Sequence, residues 1–250
     1  MGEAAFSPRI DRKKCRKGPV LTRLTLTDGT EVPITLRRSS RARRFSLRVS
    51  RVDGGVTLSL PLRASESEGL AFARAQVAWL DKVMAEMVRP EVVAHGGTLC
   101  FEGRDYIIAP APVRAARIED GAILVPRDPA RLGSSLEAFL KLAARQRLQA
   151  ASERYAAQLG ARFSKITLRD TRSRWGSCSH TGALSYNWRL VMAPPAVLDY
   201  VAAHEVAHLR EMNHSPAFWA LVARLRPDYA AERGWLKREG GRLHAIRFRD

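Results

Sequence analysis

Hydrophobic and polar residues alternate in several short runs in the first half of the chain, and this period of two predicts β-strands. VLTRLTLT and TEVPITLR flank Asp28-Gly29, and a second pair of runs flanks Asp53-Gly54-Gly55, so two tight hairpins are expected. Pro33 suggests that its strand lies at a sheet edge, because proline donates no backbone hydrogen bond. The segment RRSSRARR (37–44), between the two pairs, is expected to face water.

A helical period follows these strands. Ser65 with Glu68 forms a capping-box pattern, and apolar residues then recur at spacings of three and four up to about Arg89, just before Pro90. Two further hairpin patterns occupy residues 98–109 and 116–126. A second long helix is predicted over roughly residues 135–159.

The last third predicts two or three strands within residues 165–195, with a turn at His180-Thr181-Gly182. Pro194-Pro195 should begin a helix that a left-handed Asn213 closes, and Ser215-Pro216 should begin another. This order of elements predicts an α+β fold. We divide it into a basic, disordered tail (1–18), an antiparallel β-rich region with one helix (19–130) and a C-terminal domain (131–250).

Composition is that of a globular protein, with 46% hydrophobic and 27% charged residues among 250. No apolar run approaches the roughly 18 residues that span a bilayer, and the N-terminal residues have no apolar segment typical of a signal peptide. Cys15, Cys100 and Cys178 are scattered and odd in number, which favours a reducing compartment. A cytoplasmic protein is therefore expected.

Positive charge is concentrated near the N-terminus. The formal net charge is +17, and residues 1–52 hold 14 Lys/Arg against 4 Asp/Glu. Such a field can attract nucleic acid, acidic lipid or acidic protein. An ordinary basic, solvated surface explains the same pattern.

The segment HEVAHLREMNH (204–214) contains three of the six histidines of the chain. On a helix, His204 and His208 project from one face about one turn apart, where two imidazoles can reach one metal ion. Glu205 is rotated by about 100° from His204, so it can reach a water on the metal without binding the metal itself. This H-E-x-x-H arrangement predicts a zinc site with Glu205 as general base.

His214 stands just beyond the predicted end of this helix and is the best third ligand. Three protein ligands with an open fourth position are typical of catalytic zinc. Three downstream carboxylates remain alternatives: Glu211, Glu232 and Glu239. Of these, Glu211 is better placed to accept a hydrogen bond from a ligating histidine than to bind the metal itself. Cys178 could approach the metal, although a small buried side chain is the simpler interpretation.

The strand ALSYNWRL (183–190) directly precedes the metal helix, so it could hold an extended substrate by strand addition. Arg174, Asn187 and Arg189 are then candidates for polarising the scissile carbonyl or for binding substrate. Alternatively, Trp175, Trp188 and Leu190 belong to the core, and the arginines extend past them to water.

RWGSCSHTGALSYNWRL and PPAVLDYVAAHEVAHLREMNHSPAFW closely resemble the YgjP-like metallopeptidase family of bacteria, within the zincin group. DGGVTLSLP, AQVAWLDKVMAEM and TLCFEGRDYIIA resemble the N-terminal half of that family, so the resemblance covers roughly residues 20–245. It implies a zincin-like core and a zinc-dependent hydrolase with His204, His208 and His214 as ligands and Glu205 as base. It also implies kinship with SprT-like and WLM-like proteases, some of which act on proteins attached to DNA.

Two functions follow as hypotheses. The first is a zinc metallopeptidase with one Zn²⁺ ion that acts on a protein or peptide. The second is a non-catalytic, zinc-stabilised protein whose basic N-terminal half binds DNA or RNA. The two hypotheses combine if the protein is a protease that is recruited to nucleic acid by its positive charge.

Overall fold

The computed structural model describes residues 20–50, 54–85 and 90–249. It divides into two compact units, residues 1–87 and 88–250. The predicted tail, residues 1–18, lies outside the described residues. The sequence placed the main boundary near residue 130, but strands between residues 98 and 126 pack on the long helix of the second unit and share its core.

The first unit contains a four-stranded sheet in the order β1-β2-β4-β3. Both predicted hairpins form: β1 pairs antiparallel with β2, and β3 pairs antiparallel with β4. Gly29, at φ +85°, occupies the left-handed position in the turn between β1 and β2. The strands are β1 (Val20–Thr25), β2 (Glu31–Ser39), β3 (Ser46–Val49) and β4 (Val56–Pro61).

The prediction that Pro33 marks an edge strand is wrong. β2 is an inner strand, antiparallel to β1 and parallel to β4. Pro33 is tolerated because the pairing with β4 begins one residue later, at Ile34 opposite Val56. The sheet buries one face, including Ile34 and Leu58, and exposes most of the predicted arginine-rich segment 37–44.

Two helices cover this core: α1 (Glu66–Ala75) and α2 (Val77–Ala85). The predicted capping box is present, because Ser65 accepts a hydrogen bond from the Glu68 backbone while the Glu68 carboxylate accepts one from the Ser65 backbone. The single helix predicted here is divided at Gln76, the C-cap of α1. Its predicted last residues, 86–89, lie outside the described part of the chain.

The second unit opens with β5 (Glu91–Val92), which pairs in parallel with the C-terminal β13 (Ile246–Arg247). The next two predicted hairpins form and join through parallel pairing of β7 with β9, which gives the sheet order β6-β7-β9-β8. These strands are β6 (Thr98–Phe101), β7 (Arg104–Ala111), β8 (Arg117–Glu119) and β9 (Ala122–Pro126).

Helix α3 (Pro129–Gln158) packs on β9 and on the helix that carries His204. It begins about six residues earlier than predicted, because Asp128 caps it and Pro129 occupies its first turn. Its buried face includes Leu136, Leu140 and Leu148. It therefore forms much of the core on which the later elements pack.

A three-stranded sheet of order β10-β12-β11 lies beside this helix. Its strands are β10 (Lys165–Arg169), β11 (Gly176–Cys178) and β12 (Ala183–Asn187), and the predicted turn at 180–182 joins β11 to β12. The expected strand 183–190 ends at Asn187, whose side chain accepts a hydrogen bond from the Arg189 backbone and caps a 3₁₀ helix (Trp188–Met192).

Three helices complete the unit: α4 (Pro195–Ala207), α5 (Pro216–Leu225) and α6 (Tyr229–Ala245). Asp199 holds α4 against α3, since its carboxylate accepts hydrogen bonds from Arg154 and Tyr155 and pairs with Arg226. Mixed helices and several small sheets agree with the predicted α+β class. Of the helices in the described part of the chain, none combines the length and hydropathy that a bilayer span needs.

Candidate metal centre

Three histidines converge at the C-terminal end of α4. His204 lies in the last turn of this helix, His208 is its C-cap residue, and His214 lies in the turn before α5. One ring nitrogen from each falls within 4.8 Å of the other two. The Nε2 atoms of His204 and His214 are 3.1 Å apart.

Tight turns bring His214 back to the helix. The backbone of Leu209 donates to Val206 and that of Arg210 to Ala207, so the helix ends in 3₁₀-type bonds. The helix therefore stops at Ala207, earlier than predicted. Asn213 is not left-handed, so its predicted role as the closing residue is wrong.

The Asn213 side chain accepts a hydrogen bond from the Ser215 backbone instead. Ser215 caps α5 and Pro216 follows it, as predicted. The start of α5 then places Phe218, fully buried, 4.4 Å from the His208 ring and 4.8 Å from the His214 ring. Trp219 stacks beside His214 at 5.8 Å. The aromatic residues thus fix the orientation of the imidazoles.

The donor set fits a zinc ion. The Glu211 carbonyl can only accept a hydrogen bond, so His208 donates to it through Nδ1 at 2.8 Å and keeps Nε2 unprotonated for a metal. Burial, with the neighbouring His208 and His214, lowers the pKa of His204 to about 3, so its imidazole is neutral at pH 7. Buried His204 Nδ1 has no hydrogen-bond partner among the described residues.

The side chains of the alternative ligands do not belong to the histidine group. Among the described residues, the only group of three that could hold a metal ion consists of the histidines. Glu211 contributes its backbone carbonyl, while Glu232 pairs with Arg226 and Glu239 with Arg242. Cys178 lies near Glu205 but outside the histidine group, and its thiol donates to the Ser179 carbonyl.

Glu205 is 5% exposed and packs directly against Gly176 of β11. Burial raises its pKa to about 8, while the positive charge of Arg174 opposes that rise. His214, by contrast, is exposed, so the histidine cluster is open to solvent on one side. A buried carboxyl group beside a histidine cluster that is open to solvent is suited to proton transfer at a metal site.

The three predicted substrate-binding residues have different surroundings. Arg174 is exposed and lines a cavity next to Gly176. Asn187 is buried, and its amide donates to the Thr171 carbonyl while it caps the 3₁₀ helix. Arg189 forms a bidentate pair with Asp170 and donates to the carbonyls of Leu243 and Ile246.

Structural hydrogen bonds therefore occupy the side chains of Asn187 and Arg189, and Asn187 also lines the cavity next to Gly176. Substrate contact by these residues stays a prediction. The core alternative is correct for Trp188 and Leu190, which are 1% and 0% exposed. Trp175 is half-buried and stacks on His244.

Sequence reasoning missed Gly176, Phe218 and Trp219 as parts of the site. A glycine within a strand pattern signals a close approach by another group, so RWGSC contained a usable signal for Gly176. Nothing in the apolar pattern of α5 distinguishes Phe218 and Trp219 from ordinary core residues.

A family model for the YgjP-like metallopeptidase domain matches residues 43–239. Among solved structures, the chain is similar to the crystal structure of the metallopeptidase zymogen of Pyrococcus abyssi abylysin. That match has a TM-score of 0.32 and 20% identity, over 36% of this chain and 93% of the other. No curated protein matches the chain.

Proposed function

The chain belongs to the YgjP-like metallopeptidase family, and we propose that it is a zinc peptidase with a zincin-like core. In this proposal His204, His208 and His214 hold one Zn²⁺ ion, and Glu205 is the catalytic base. The observation that carries the proposal is the convergence of three imidazole nitrogens within 4.8 Å at the C-terminal end of the helix that also carries Glu205.

A zinc ion held by His204, His208 and His214 would supply Lewis acidity to the scissile carbonyl and to the attacking water. Glu205 accepts the proton of that water on a carboxylate oxygen and returns it to the leaving amine. Its burial favours the first of these steps, the uptake of the proton, because a protonated carboxyl group is the more stable form in an apolar setting. The Glu211 carbonyl keeps the His208 ring in its ligating orientation.

An extended peptide can bind along β11. Within the described residues, β11 is an edge of its sheet, with β12 on its other side. Asn187 donates to the Trp175 carbonyl and Ser179 to the Ala183 carbonyl, so alternate residues of this segment face β12. The backbone groups of Gly176 and Cys178 therefore point away from β12 and are available to a substrate strand.

Glu205→Gln tests the proposal. The amide keeps the size of the side chain but cannot accept the proton, so cleavage of an unfolded protein such as reduced casein should fall by at least about 10³-fold. Elemental analysis should find the same zinc content in this variant and in wild type. Glu153→Gln, at an exposed position of α3, is the control and should cleave normally. Unchanged cleavage by Glu205→Gln would refute the assigned base.

Nucleic-acid binding through the basic N-terminal half receives no support from the family match. Its motivation in the described structure is the set of exposed arginines in the N-terminal half, including those in residues 37–44. Binding of a DNA duplex at two salt concentrations tests it, because phosphate contacts weaken steeply with salt. Binding that is tight, salt-dependent and unaffected by Glu205→Gln would favour the alternative.

A further inference from the structure

A cavity of about 370 Å³ lies on the sheet β10-β12-β11, next to Gly176. This volume is within the usual range of about 300–1,000 Å³ for small-molecule sites. Besides Gly176, its lining consists of two arginines, four hydroxyl residues, one tryptophan and one asparagine: Arg169, Arg174, Thr171, Ser177, Ser185, Tyr186, Trp175 and Asn187. No acidic side chain lines it.

The cations of this cavity are unpaired. Arg169 and Arg174 are exposed, and within the described residues neither guanidinium makes a hydrogen bond or an ion pair. The hydroxyl groups of Ser177 and Ser185, opposite each other on β11 and β12, are likewise without a hydrogen bond there. Arg189, in contrast, is saturated by Asp170 and two carbonyls. The cavity thus presents free donors and positive charge to any anionic group that enters it.

Strand β11 connects this cavity to the catalytic centre. Gly176 faces Glu205, and since side chains alternate along a strand, Ser177 faces the opposite side of the sheet. A peptide that adds to β11 would place successive side chains on these two sides. Arg174 lies close enough to Glu205 for its charge to affect that carboxyl group. A side chain that reaches the cavity therefore belongs to a residue close to the scissile bond.

We propose that this cavity is a specificity subsite that binds an acidic side chain of the substrate, so that the enzyme prefers peptides with Asp or Glu at one position near the scissile bond. The inference rests on the proposed peptidase function and names its substrate class. The carboxylate accepts hydrogen bonds from Arg169 and Arg174, a pairing for which guanidinium geometry is well suited.

Cleavage of a proteome-derived peptide library, read by mass spectrometry, tests the preference directly. Wild-type protein should yield sites enriched in Asp and Glu at a single position. Two synthetic peptides that differ only by Glu or Gln at that position should differ about tenfold in kcat/KM. Cleavage that depends on Glu205 but is indifferent to acidic residues would refute the subsite and leave the peptidase proposal intact.

Variants of the cavity supply a second test. In Arg169→Gln/Arg174→Gln the ratio of kcat/KM for the Glu peptide to that for the Gln peptide should fall to near one. Arg169→Glu should favour a Lys peptide instead. Arg104→Gln, at an exposed position of β7, is the matched control and should keep the wild-type ratio. A wild-type ratio in the double variant would overturn the assignment.

A binding measurement remains decisive even if no peptide is cleaved. Fluorescein-labelled decapeptides rich in Gly and Ala, with one central Glu, Gln or phosphoserine, are titrated against zinc-loaded Glu205→Gln protein. The Glu peptide should bind about tenfold more tightly than the Gln peptide, and Arg169→Gln should remove the difference. Equal affinities would refute the subsite. A phosphoserine peptide that alone binds tightly would overturn the carboxylate in favour of phosphate.

Discussion

Gly176→Ala perturbs the base without touching a metal ligand. A Cβ atom at this position would lie 2.4 Å from Glu205 Oε1 and 2.6 Å from its Cγ, whereas ordinary contact begins at 3.4 Å. The carboxylate would have to move by about 1 Å to restore that contact. Gly176 does not have a positive φ, so its backbone accepts alanine without strain.

The expected effect is a large loss of kcat. A misplacement of about 1 Å costs on the order of 10²-fold, which corresponds to about 2.7 kcal/mol of activation free energy. Zinc content should stay at one ion per chain, because the three heavy atoms nearest to the added methyl group all belong to Glu205 and none to a histidine. The assay compares kcat, KM, zinc content and the thermal midpoint of wild type and Gly176→Ala on one unfolded protein substrate.

Gly234→Ala is the matched control. This glycine lies in α6, where an added Cβ would meet only the end of the Arg238 side chain, at 3.1 Å. Its kcat should stay within about twofold of wild type, since alanine is at least as favourable as glycine in a helix. Wild-type kcat in Gly176→Ala with full zinc content would refute the role of Glu205 as a positioned base. A loss of zinc in this variant would refute the claim that Glu205 can be displaced without disturbing the metal ligands.

Three further outcomes are expected. Arg189→Gln should lower the free energy of unfolding, measured by urea titration, by about 2 kcal/mol, because Asp170 and two carbonyls lose a charged donor. If the variant instead keeps its stability and shows a raised KM, Arg189 is a substrate residue. Gly133→Ala should lower the thermal midpoint, since its Cβ would lie 1.7 Å from the Phe248 carbonyl oxygen and overpacking costs about 1–3 kcal/mol; an unchanged midpoint contradicts this packing. Chelation should abolish cleavage of casein and lower the thermal midpoint of unfolding, and added zinc should restore both. Full activity in protein that retains less than about one-tenth of its zinc would contradict the metal requirement.

Hydrophobic periodicity was sufficient for the hairpins and for the helical regions up to α5, because each is determined by neighbours in sequence. It did not predict α6 (Tyr229–Ala245) or the division between α1 and α2. It was not sufficient for strand order. Pro33 lies on an inner strand because β2 pairs in parallel with β4, a long-range contact that local pattern does not encode. The unit boundary at residues 87 and 88 has the same origin, since Ile108 and Ile123 join the core of α3 across a gap in sequence.

The site was more predictable than the fold. The spacing of His204 and His208, with His214 just beyond the helix end, placed three ring nitrogens close together, and the structure brings them within 4.8 Å. Their role as zinc ligands, like that of Glu205 as base, remains a proposal. The surroundings could not be predicted, because Asn187 and Arg189 acquire their partners only through tertiary contacts.

X-ray absorption spectroscopy of zinc-loaded Glu205→Gln protein tests the central proposal most directly, together with elemental analysis of the same sample. The account predicts one zinc ion per chain with three imidazole nitrogens at about 2.0–2.1 Å and one exchangeable oxygen ligand. His204→Ala and His208→Ala should each lose the ion. A sulfur or a fourth protein side chain in the coordination shell, or full zinc content in both histidine variants, would contradict it.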